Sequence, residues 1–146
     1  MPSPDSGTLS TIASVIAAFG AAMLFFRVQR EISMSERGEI NWIPVADWLL
    51  VVATIVSLLL VIVPLTICDP GTTFFKVVPA ASCAGSAILL AGYPFAVLAH
   101  YRFILRGKRA GARTNPEPPE AWIVAVTAVA AIGTFAWAIA ARIWII

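Results

Sequence analysis

Asp47 and His100 are the two side chains whose types best suit acid–base chemistry, a carboxylate and an imidazole able to exchange a proton. Basic residues accompany them: Arg27 and Arg30 upstream, and Arg102 two positions after His100. Read ambitiously, these five form a proton-transfer pair beside a clamp for an anionic substrate, the makings of an interfacial membrane enzyme. No nucleophile or metal-ligand spacing accompanies them, so the preferred reading is a salt-bridge network at helix boundaries that fixes helix register. The single histidine excludes two-histidine haem ligation within one chain. Cys68 and Cys83 lack metal-site or C-x-x-C spacing. No enzyme activity, cofactor or metal is expected.

The elements that position these residues are four long apolar stretches. Of 146 residues, 60% are hydrophobic and 12% charged, and mean hydropathy is +0.88. Soluble domains carry about twice that share of charge, so a soluble globule is excluded, and low-hydrophobicity disorder with it. A helix needs about 20 apolar residues to cross a hydrocarbon layer of ~30 Å. The sequence predicts four such helices, over about 9–30, 44–67, 77–106 and 120–145, in one all-α transmembrane domain covering 1–146. Pro44 and Pro79 are placed in the first turns of the second and third helices, and Glu120 at the dipole-favoured start of the fourth. Pro64 and Pro94 fall inside helices, where a kink is expected. The start, Met1 to Ser10, has no basic residue and carries Asp5, unlike a cleavable signal peptide.

Charge placement predicts orientation. Arg27, Arg30 and Arg37 flank the first loop, and Arg102, Arg106, Lys108, Arg109 and Arg113 fill the third, whereas the opposite side has Lys76 and Arg142. Short basic loops stay in the cytoplasm. Loops 31–43 and 103–119 are therefore expected there, with both termini outside a cell membrane. Trp42, Trp48 and Trp122 then fall at the inner boundary, Phe74, Phe75 and Trp144 at the outer one, and Trp137 deeper as a packing residue. The five basic residues from Arg102 to Arg113 are expected to contact anionic lipid headgroups. A net charge of only +2 gives no case for a nucleic-acid partner. Cys68 and Cys83 flank the outer loop and are a candidate disulfide.

Inside lipid, helices associate through close packing of small residues. Ser10, Ser14, Ala18 and Ala22 form one such row with Ala13, Ala17 and Ala21 beside it, Ala80, Ala84, Gly92 and Ala96 a second, and Ala121, Ala125 and Gly133 a third. The first, third and fourth helices are expected to pack together, with the bulky second helix supplying lipid contact. No Asp, Glu, Lys, Arg or His lies between the boundary residues, which argues against a proton-coupled transporter or a voltage sensor. Hydroxyls at Ser14, Thr54, Ser57, Ser86, Thr127 and Thr134, with Tyr93, could line a neutral path. The sequence therefore predicts a non-catalytic helical bundle: an accessory subunit of a larger membrane complex, or a self-associating homo-oligomer able to form a pore or perturb the bilayer. The alternative is a small channel or facilitator for a neutral solute.

Overall fold

A computed structural model describes residues 5–37, 44–68, 72–101, 103–104 and 117–143. These form four helices: α1 (Ser6–Glu36), α2 (Asp47–Ile67), α3 (Thr73–His100) and α4 (Pro118–Ile143). All four are long and apolar enough to cross a membrane, and the described residues hold no strand. This is the build of a small multi-pass membrane protein.

The helix ends differ from expectation for local reasons. α1 continues past Arg30 to Glu36, closed by the Arg37 N–H on the Met34 carbonyl. Pro44 opens a tighter turn rather than the helix itself, with Asp47, Trp48 and Leu49 each donating three residues back. Regular α-helix then starts at Asp47. α3 starts four residues earlier than expected because Thr72 caps it, its hydroxyl accepting the Phe75 N–H at 3.2 Å. Pro79 consequently lies in the helix interior rather than its first turn. α3 also stops at His100, six residues short of expectation, where the Phe103 N–H turns back to the Leu98 carbonyl at 2.9 Å.

Pro64 has no N–H to offer, and α2 accommodates it by widening. Residues Leu58–Ile62 form a π-helical segment, and the Val63 N–H reaches five residues back to Leu58. α-Helix resumes from Val63 to Ile67.

α3 is the hub, packed most extensively on α4 and also on α2 and α1. A Cβ on Gly92 would overlap the Thr127 side chain of α4, so the missing side chain is what lets these helices approach. The same holds where Gly20 of α1 meets Thr54 of α2. The expected seam joining α1, α3 and α4 is thus corrected: α1 packs chiefly on α2, and α1 and α4 make at most marginal contact. On α1 the buried small residues are Ala13, Ala17 and Gly20, whereas Ser14, Ala18 and Ala22 face outward. On α4, Ala125 and Gly133 also face outward, and nothing lies within 4 Å of a Cβ added at Gly133. Trp137, expected to pack within the bundle, is 72% exposed on this outer face.

The apolar core falls into two clusters. One joins Ile16, Leu49, Leu50, Ala53, Leu89, Tyr93, Ala96 and Ala131; the other joins Leu9, Ala13, Val61 and Cys83. Between them along α2 and α3 lie the fully buried hydroxyls of Ser57 and Ser86. Cys83 points into the second cluster and Cys68 stands beyond the end of α2, so the candidate disulfide is not formed and both thiols are free.

Candidate functional site

The antiparallel run of the helices brings the second half of α1, the start of α2, the end of α3 and the start of α4 to one end of the bundle. Arg27, Asp47, His100, Tyr101 and Glu120 pair across helices there. Arg27 is the centre of one cluster. Its Nε donates to Asp47 Oδ2 at 3.3 Å, one Nη donates to the Tyr101 hydroxyl at 3.0 Å, and Glu31 Oε1 stands 3.9 Å from the other. Arg30 donates to the same Tyr101 hydroxyl and lies over its ring, 5.2 Å from the centroid. One phenol therefore takes hydrogen bonds from two guanidinium groups, and α1 is tied to α2 and α3 at once.

Glu120 is the centre of the second cluster. Its Oε2 lies 2.8 Å from His100 Nδ1, and its Oε1 accepts the Ala46 N–H at 2.9 Å. Side-chain exposure is 4% for His100 and 0% for Glu120. A carboxylate this deep is tolerable only with both oxygens engaged. Its place in the first turn of α4 adds a favourable helix dipole. One side chain thus joins α4 to the end of α3 and to the turn before α2. His100 stacks edge-on against Tyr101, centroids 5.0 Å apart, so the two clusters adjoin. Glu117, the residue before α4, is equally buried.

Of the residues singled out from sequence, Arg27, Arg30, Asp47 and His100 all reach this end. Of the three partners the sequence leaves open for Asp47, namely Arg27, Arg30 and His100, Asp47 takes Arg27, while His100 bonds to Glu120 instead. Arg102 lies outside the described residues, as do Arg106, Lys108, Arg109 and Arg113. Sequence reasoning gave Glu120 a dipole role only and placed Glu31 and Glu117 in the two connecting loops, 31–43 and 103–119. A carboxylate in the first turn of an amphiphilic-ended helix was the available signal for Glu120; the face it occupies was not.

Beside the Arg27 cluster a cleft of about 390 Å³ opens along α1, lined by Leu24, Arg27, Val28, Glu31, Ile32 and Asp47 among others. Among the described residues no group of three His, Cys, Asp or Glu could hold a metal ion. Deeper in the bundle, the hydroxyls of Thr54, Ser57, Ser82 and Ser86 are buried without a hydrogen-bond partner among the described residues. Ser82 was not among the hydroxyls picked out from sequence.

The chain matches no family model, no curated protein and no solved structure. What it does must be argued from its own geometry.

Proposed function

We propose that this chain is a non-catalytic, self-associating module of a cell membrane, with its polar end and residues 31–43 and 103–119 in the cytoplasm and both termini outside. The observation that carries this reading is the outward placement of small residues on two separate flanks. α1 presents Ser14, Ala18 and Ala22, and α4 presents Ala125 and Gly133 beside the exposed Trp137. In lipid such rows gain from close backbone approach, not from the hydrophobic effect. A contact from α1 of one copy to α4 of the next is heterologous, and repeated copies close into a ring where the rotation allows. The same faces would serve to dock an accessory module onto a larger complex. Purification in mild detergent followed by mass determination tests the choice: a homo-oligomer supports self-association, stoichiometric co-purification of another polypeptide supports the accessory role, and a lone monomer contradicts both.

A second reading is favoured by the orphaned hydroxyls. Thr54, Ser57, Ser82 and Ser86 are costly as buried, unbonded groups, and such a polar layer suits a facilitator for a small neutral solute. Solute flux through liposomes holding only this protein supports it; tight liposomes contradict it.

The basic stretch from Arg102 to Arg113 is assigned to anionic headgroups at the cytoplasmic face. A reporter active only in the cytoplasm, fused after Ile146, should stay silent in the proposed orientation.

A further inference from the structure

We propose that the flank of α1 nearest Tyr101 holds a phospholipid, its phosphate on Arg30 and an acyl chain along Phe26 and Phe19. Arg30 is exposed, donates to the Tyr101 hydroxyl, and lies over the Tyr101 ring, 5.2 Å from its centroid. A guanidinium carries five N–H donors in a planar fork, and the bond to Tyr101 leaves most of them for a ligand. Among the described residues no carboxylate lies within salt-bridge distance of Arg30, whereas Arg27 is answered by Asp47 and Glu31. A fork already held against a phenol ring loses little further freedom on meeting two phosphate oxygens. Tyr101 is thus a positioning residue, and Arg30 is the group that meets the ligand.

The apolar half of the site lies within the membrane-spanning part of α1. Phe26 and Phe19 precede Arg30 on the same face of the helix and are 63% and 48% exposed. From Arg30 to Phe19 is about 16 Å along α1 at ~1.5 Å per residue. That is close to half of a ~30 Å hydrocarbon layer, so the row matches one acyl chain of the adjoining leaflet. Helical side chains lean toward the N-terminus, which brings the Arg30 guanidinium down toward the boundary marked by Arg27. Arg27, Arg30, Glu31 and Asp47 together sum to zero charge. The site therefore selects for the phosphate itself rather than for a net anionic headgroup, which separates it from the basic stretch Arg102 to Arg113. It lies beside the Ser14, Ala18 and Ala22 row, goes beyond the self-association proposed above, and rests only on membrane residence.

The test titrates the full chain in a non-ionic detergent with phosphatidylcholine or with digalactosyldiacylglycerol of the same acyl chains. Bound lipids are counted by native mass spectrometry. Phosphatidylcholine should bind roughly tenfold more tightly than the phosphate-free glycolipid, as a charge-assisted hydrogen bond predicts. Arg30→Gln should bring the two lipids level, and Tyr101→Phe should reduce the preference without abolishing it. Arg37→Gln, at an exposed arginine past the end of α1, should leave the preference unchanged. Soluble glycerophosphocholine, which has the phosphate and no acyl chain, should not displace the bound lipid. Equal binding of the two lipids by the wild type, a preference that survives Arg30→Gln, or one lost in Arg37→Gln each overturns the site. Displacement by glycerophosphocholine overturns its assignment to a lipid. A chain that stays in aqueous solution without detergent is a separate result, and it removes the membrane reading and this site together.

Discussion

Glu120 Oε2 and His100 Nδ1 stand 2.8 Å apart with both side chains buried, joining helices that the chain connects only through the long segment between them. The second oxygen of the same carboxylate holds the Ala46 N–H. A single glutamate therefore fixes how three of the four helices meet at the polar end. Breaking a buried pair by removing one partner typically costs about 3–5 kcal/mol, because the other is left uncompensated. Glu120→Ala is expected to lower stability by an amount in that range, and Glu120→Gln by less, since an amide oxygen can still accept the Ala46 N–H. Thermal unfolding in detergent followed by circular dichroism checks the order; equal loss in both variants would show that charge, not hydrogen bonding, carries the contact.

Arg27 is not replaceable by lysine. Its Nε and one Nη point to Asp47 and Tyr101 in different directions, which a single ammonium cannot reproduce. Arg27→Lys should destabilise the bundle by about 1–3 kcal/mol, and Arg30→Lys, at an exposed position, by distinctly less. Tyr101→Phe removes the acceptor that both arginines share and should lower stability by about 1 kcal/mol. The three unfolding midpoints measured side by side settle the ranking.

Two glycines make opposite predictions. Gly92 faces Thr127 across the α3–α4 contact, and a side chain there has nowhere to go. Gly92→Leu should cost about 3 kcal/mol or more through overpacking and strain. Gly133 faces open space, so Gly133→Leu should leave the folded monomer at wild-type stability. Ala18→Leu on the outer face of α1 should behave like Gly133→Leu. Unfolding in a detergent strong enough to separate associated copies reads both effects, and a destabilised Gly133→Leu would contradict the arrangement of α4.

The two thiols should differ in reactivity. Cys68 is half-buried past the end of α2, and Cys83 is enclosed by Leu9, Ala13 and Val61. A membrane-permeant alkylating reagent should modify Cys68 first and reach Cys83 only after unfolding. Mobility on a denaturing gel should be the same with and without reductant. Rapid labelling of both cysteines in the folded protein would contradict the placement of α3.

Helix number and the end at which the charged residues gather were legible in the sequence, because a hydrocarbon layer leaves an apolar run of this length few alternatives. Neighbour choice was not legible. The rows Ser14–Ala18–Ala22 and Ala13–Ala17 are equivalent by composition, and only the packing on α2 selects the second. Trp137 failed in the same way: depth along a helix says nothing about which face a side chain occupies. Asp47 and Arg27 meet because both lie at one boundary. The Glu120–His100 pair depends on the rotation of α4 about its axis, which no local pattern encodes. The π segment before Pro64 had a visible cause, a proline in the second helix, but a kink and a widened turn are both physical answers to a missing N–H.

Self-association through the outer faces of α1 and α4 is tested most directly by counting photobleaching steps of singly labelled protein in dilute lipid bilayers. Wild-type protein should bleach in several steps with no other polypeptide present, and the Ala18→Leu, Gly133→Leu double variant should bleach in one. Single-step bleaching of the wild type, or an unchanged step count in the double variant, would contradict the proposed assembly.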